Sequence, residues 1–258
     1  FSDQDGTMIV AQPESETAPV SGAALTRDEA RVTVLGVPDV PGMSQKIFSA
    51  IAAQKVAVDM VVQNVGTSGK ADVSFTVAGG ELKKTLAALE GILDSLGADG
   101  VTHDDQVSKV SVVGLGMAHQ KAVAASMFRA LAEANVNIHM ITTSEIKISC
   151  LVPRDQANQA LRAVHEAFSL DQRPSDAKTW NQIKASNAKE ADVADVVARL
   201  QNDALEALTL TDISIVPAQA RVTLDGVPDQ VGVAADMFEQ IGEAGIFVDM
   251  IVQGYDGE

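Results

Sequence analysis

A chain of 258 residues that is 46% hydrophobic, with a mean hydropathy of +0.10, has the composition of a folded globular protein and not of a disordered one. Its formal net charge of −16 excludes a basic face for nucleic-acid phosphates or an anionic lipid surface, both of which need clustered Lys and Arg. The single cysteine, Cys150, excludes internal disulfides and Cys-based zinc sites, and aromatics at 3% leave the cores to Val, Ile, Leu, Met and Ala.

In chain order, residues 1–10 read as the end of a preceding domain. Residues 11–22, with Pro13, Glu14, Ser15, Glu16, Thr17 and Pro19, read as a linker. No signal peptide or membrane-spanning run is visible, so a cytoplasmic location is expected.

A first domain is predicted over 23–106. Val32 and Val34 alternate with polar neighbours in a strand. Pro38, Pro41 and Gly42 then turn the chain, and Ile47, Phe48 and Ile51 share one face of a helix from Ser44 to Gln54. Strands over 56–64 and 72–77, a helix over 81–96 and a strand over 107–116 complete a βαββαβ order, the ferredoxin-like arrangement. A second copy is predicted over 107–172, with a strand at 110–114, a helix at 122–134, strands at 136–142 and 146–152, and a helix at 156–168. Residues 173–210 form a connector, polar at first, with a helix over 190–208.

Residues 211–258 begin a third copy. Residues 220–229 match 30–39, Gly232 falls on Gly42, and Phe238 on Phe48. Asp229, Asp249 and Gln253 follow Asp39, Asp59 and Gln63 at a constant spacing of 190 residues. An ungapped repeat of this length is a duplication. The third copy stops after its second strand, so a longer parent chain is expected.

The chemistry-bearing patterns are mostly missing. There is no Gly-rich phosphate loop with Gly-Lys-Ser or Gly-Lys-Thr, and no serine nucleophile motif. The four histidines lack metal-ligand spacing, so neither a catalytic nor a metal site is expected. Asp104 and Asp105 read as a solvated turn. Polar residues do gather at strand ends and turns: Asp39, Asp59, Gln63, Asn64, Asn137, Thr143, Ser144 and Glu145. Singly, each is ordinary turn chemistry, but Asp59 and Gln63 stand out because the third copy repeats them. A strand that turns through Gly42 into a helix also leaves backbone N–H groups that can hold a carboxylate, although a plain connection is the simpler account of that segment alone.

Taken together, Gly36-Val37-Pro38-Asp39-Val40-Pro41-Gly42 and Val58-Asp59-Met60-Val61-Val62-Gln63-Asn64 resemble the first ACT domain of aspartate kinases. Residues 104–117 resemble the entry to the second ACT domain of that family. Asn135-Val136-Asn137-Ile138, followed by 143–149, resembles its signature, and residues 1–9 resemble the last strand of the kinase domain. The resemblance implies an α+β fold of tandem ACT domains paired side by side, assembled as a homodimer. It also implies a regulatory region that binds lysine and/or threonine and feeds back on an enzyme that phosphorylates L-aspartate with ATP. ATP and Mg would belong to the kinase domain, and no cofactor is expected here. By motif, one effector pocket would use Asp39, Gly42, Met43 and Ser44, with Gln63, Asn64, Asn137 and Ile138. A related pocket would use Asp59, Met117, Val123 and Ala124, with Ser144 and Glu145. The third copy has Val231 in place of Pro41 and Gly254 in place of Asn64, so its pocket is expected to be altered or empty. Two other readings are an ACT region serving a different enzyme of amino acid metabolism, and a ligand-free dimerisation module.

Overall fold

A computed structural model of the protein describes residues 18–65, 69–114, 117, 123–172, 219–224, 226–246, 248 and 250–253. The predicted end of a preceding domain and the connector with its helix lie outside these residues. The chain divides into two compact bodies, Thr17–Arg173 with Pro228–Glu258, and Phe1–Glu16 with Pro174–Val227. The described residues of the second body, 219–224, 226 and 227, carry no helix or strand.

The first body is built on one antiparallel sheet. Its strands are β1 (Gly22–Pro38), β2 (Asp59–Val65), β3 (Lys70–Ala78), β4 (Gly100–Val113), β5 (Met140–Ser144), β6 (Lys147–Pro153) and β7 (Val252–Gln253), in the spatial order β2-β3-β1-β4-β6-β5-β7. The helices are α1 (Met43–Ala53), α2 (Leu82–Glu90), α3 (Leu93–Leu96), α4 (Val123–Glu133), α5 (Ala157–Ala167) and α6 (Val233–Glu243). Among the described residues no helix is long and apolar enough to cross a membrane.

β1 and β4 are shared between two modules. Residues 22–26 of β1 pair with 109–113 of β4 in the second module, and residues 31–35 pair with 100–104 in the first. The register shifts on either side of Glu29, and an irregularity of this kind bends a strand from one half-sheet into the next. Arg154 covers the carbonyls there, donating to Val107 O at 3.3 Å and to Glu29 O at 2.9 Å. β4 therefore begins seven residues earlier than the predicted strand. Asp104 and Asp105 belong to that strand and do not form a turn. Their polarity hid the extended backbone, whose side chains here are largely exposed. The predicted helix over 81–96 is two helices, interrupted after Glu90 at Gly91, a residue with poor helix propensity.

Alternation sends one set of side chains to the helices and the other to the opposite face. In the first module Val32, Val34, Val73 and Phe75 pack with Ile47, Ile51 and Leu89. In the second, Val110, Val112, Ile148 and Cys150 pack with Phe128, Leu131 and Val164. Burial raises the Cys150 thiol well above its ordinary pKa and keeps it protonated and inert. On the face away from the helices, Met60 and Val62 of β2 meet Val107, Met140 and Leu151, which ties the first module to the second. The third module, from Pro228, packs on the second: Ala235 and Ile251 enter the same core as Phe128.

Candidate functional site

The loop from β1 to α1 passes through Gly42 at φ 95°, a left-handed conformation that costs glycine no Cβ strain. Met43 then opens α1, whose first-turn amides have no intrahelical acceptor. Around this turn the first module gathers three of the predicted residues. Gln63 Nε2 donates to Asp39 Oδ1 at 3.3 Å, and Ser44 Oγ donates to Gln63 Oε1 at 3.4 Å. Asn64 sits one residue further along β2, opposite Asp72 of β3.

Asn137 and Ile138 are not part of that cluster. They face the third module, which repeats the same turn with Gly232 at φ 94° ahead of α6. Asn137 Nδ2 donates to Asp229 Oδ1 at 2.7 Å, and Gln253 Nε2 donates to the Ile138 carbonyl at 3.4 Å. Next to them β7 pairs with β5, Ile141 opposite Gln253, and the Ile251 N–H donates to Thr143 Oγ1 at 2.8 Å. Asp229 and Gln253 are the repeat counterparts of Asp39 and Gln63. The predicted grouping is thus assembled with the third copy of the loop in place of the first. The substitutions at Val231 and Gly254 pointed away from the third copy, yet the retained Asp229 and Gln253 were a visible sign that it could make these contacts.

The second predicted grouping is not brought together within the described residues. Met117 and Val123 are buried in the helix-side core of the second module. Asp59 lies on the other side of the sheet, where Lys109 Nζ reaches its Oδ2 at 2.7 Å and Lys147 Nζ approaches to 4.0 Å. Lys109 and Lys147 alternate with core-facing Val110 and Ile148, and this alternation separates the two sets. Ser144 pairs with Lys147 at the end of the β5–β6 hairpin, its Oγ donating to the Lys147 carbonyl at 3.4 Å. Glu145 is exposed in the intervening turn.

Lys109 forms the most enclosed ion pair of this region. Its ammonium also donates to Glu29 Oε1 at 2.5 Å, with side-chain exposures of 12% and 6%. Burial opposes both charges at Asp59 and Lys109. At Asp59 the hydrogen bonds from Lys109 and the Met60 amide and the nearby ammonium charges outweigh it, and hold the carboxyl below its ordinary value. At Lys109 the two carboxylates outweigh burial and hold the ammonium pKa above its ordinary value. His139, beside Ile138, is pushed down by burial and then by the charge of Arg31. Asp229 and Asp104 offset this only in part, so the imidazole favours its neutral form.

Comparison with known proteins gives this geometry a context. The ACT domain family model matches residues 32–92 and 110–168, the first and second modules. The aspartokinase of Helicobacter pylori is 42% identical over 177 residues, which is 67% of this chain and 43% of that protein. The chain therefore spans less than half the length of the curated relatives it matches. A crystal structure of the regulatory subunit of aspartate kinase from Thermus thermophilus, in a ligand-free form, is 41% identical at a TM-score of 0.55. It covers 58% of this chain and 99% of its own. The crystal structure of aspartate kinase from Synechocystis is 30% identical at a TM-score of 0.68, over 93% of this chain and 38% of its own.

Proposed function

This chain belongs to the aspartokinase family, as its regulatory region with two ACT domains, and we propose that it senses lysine and/or threonine and inhibits a parent enzyme that phosphorylates L-aspartate with ATP to 4-phospho-L-aspartate. ATP and Mg act in the kinase part, and the assembly is a cytoplasmic homodimer formed through ACT domains.

The effector lies between the second and third modules in this reading. The observation that carries it is the Asn137–Asp229 hydrogen bond, which brings the acidic loop residue and the α6 N-terminus of one module against the Asn-Ile segment of another. A zwitterionic amino acid needs an anion site and a cation site close together. The first-turn amides of α6 and the helix dipole favour the effector carboxylate. Asp229 accepts from the effector ammonium, a charge-assisted bond stronger than a neutral one. The side-chain amides of Asn137 and Gln253 reorient from Asp229 and the Ile138 carbonyl to the ligand, so the protein's polar groups are paired with and without it.

Binding favours whichever arrangement of the modules closes around the ligand. Inhibition follows only to the extent that the effector binds that arrangement more tightly than the active one. Titration calorimetry of this chain with lysine and with threonine tests the proposal. Saturable binding of either supports it. A folded protein that takes up neither overturns it and leaves a structural dimerisation role.

A further inference from the structure

The second module has a docking face, made of the β5 edge and the outer side of α4, and two parts of this chain carry the repeated sequence that meets it. The third module fills it here. Its Phe238 packs against Phe128 with ring centroids 5.2 Å apart, β7 extends the sheet at β5, and Ile251 is buried to 7% exposure. The first module repeats this sequence 190 residues earlier, with Val61 and Gln63 in place of Ile251 and Gln253, while Phe48, the counterpart of Phe238, packs on Phe75 of its own module with ring centroids 5.6 Å apart. Val61 is 49% exposed. The apolar residue on this strand therefore does not by itself decide between the chain's own third module and the first module of another copy.

Charge does distinguish them. Arg129 projects from α4 and reaches two carboxylates on α6, Asp236 at 3.3 Å and Glu239. The residues 190 positions earlier, on α1, are Lys46 and Ser49, both exposed. Docking α1 in the place of α6 would set the Lys46 ammonium against Arg129 and supply no carboxylate.

We propose that Arg129 sorts the two duplicated surfaces, accepting the acidic α6 of its own chain and rejecting the Lys46-bearing α1 of a second copy. Specificity of this kind combines an attractive contact with the right partner and a repulsive one with the wrong partner. The tether adds to it by raising the effective concentration of the third module.

The test is Lys46→Glu in the full chain, a change at an exposed residue outside the intrachain interface. It replaces one exposed repulsion by one exposed attraction, each worth a few-fold, so the self-association constant measured by sedimentation should rise roughly ten-fold at low salt and return towards wild type in about 1 M salt. Amide exchange at residues 250–253 should quicken as association proceeds, because the third module is displaced. The double variant Lys46→Glu/Arg129→Glu should lose the gain, and Arg129→Glu alone, which now offers Lys46 a carboxylate, should show a gain of its own. Unchanged association in Lys46→Glu, or a gain that persists in the double variant, overturns the proposal.

Discussion

Replacing Lys109 by Met is the sharpest stability test of the junction between the first two modules. Lys109 holds Glu29 at 2.5 Å, and both side chains are nearly enclosed, with 12% and 6% exposure. The pair of Lys84 with Glu81, the residue just before α2, is the contrast, at 3.2 Å with 46% and 41% exposure. Removing one partner of an exposed helix pair costs roughly 0.3–0.5 kcal/mol. Removing Lys109 strands the Glu29 carboxylate in the interior, a loss of about 3–5 kcal/mol. The loss belongs to the stranded charge, so Lys109→Met with Glu29→Gln should recover most of it. The pH profile adds a signature. The Asp59 carboxyl is depressed in the fold, so its contribution is present above its ordinary value of 3.8 and lost as pH falls through the lower folded value. Lys109 is raised, so its contribution is present below its ordinary value of 10.5 and lost as pH rises through the higher folded value. Lys109→Met should flatten both limbs. Urea unfolding followed by far-ultraviolet circular dichroism measures all of this. A loss below about 1 kcal/mol for Lys109→Met at neutral pH would show that the pair behaves as an exposed one.

Three further outcomes are expected. Phe238→Ala removes the ring on Phe128 and should expose α6 to amide exchange, while protection of β1, β3 and β4 is kept; uniform loss of protection would mean that the third module is not a separable layer. Gly114→Ala places a Cβ against the Pro19 carbonyl and Val20, next to the Ser21 N–H to Val113 O bond of 2.8 Å, and should cost about 1–3 kcal/mol by overpacking, read as a lower unfolding midpoint. His139 has a folded pKa below its ordinary 6.5, so the unfolded chain binds more protons between those two values and stability should fall on acidification below about pH 6.5. His139→Gln should remove that slope, and a slope that survives would assign it to other groups.

Much of this architecture was readable from local pattern. Val32, Val34, Val73 and Phe75 alternate because one sheet face is buried, and Ile47 and Ile51 lie one helical turn apart because α1 presents one stripe to that face. The length of β4 was not readable, since His103, Asp104, Asp105 and Gln106 lack any apolar alternation and their strand is specified by pairing with β1. Dual membership of β1 and β4 in two modules was hidden for the same reason, because the register shift at Glu29 depends on contacts across the sheet and on Arg154, far along the chain. The residue types of the candidate site were legible from the motif, whereas the copy of the loop that meets Asn137 was not. Asp39 and Asp229 have nearly the same local sequence, and only the packing of α6 and β7 on the second module sets Asp229 beside Asn137.

The proposed function places an amino acid effector between the second and third modules. Calorimetric titration of lysine and threonine into the unaltered chain, Gln253→Ala and Gln63→Ala tests it directly. Loss of a buried hydrogen bond to a charged ligand group is worth about 1.5–3 kcal/mol, so Gln253→Ala should raise the dissociation constant roughly ten-fold or more, and Gln63→Ala should leave it unchanged. Weakened binding in Gln63→Ala together with unaltered binding in Gln253→Ala would contradict the account and return the site to the first module.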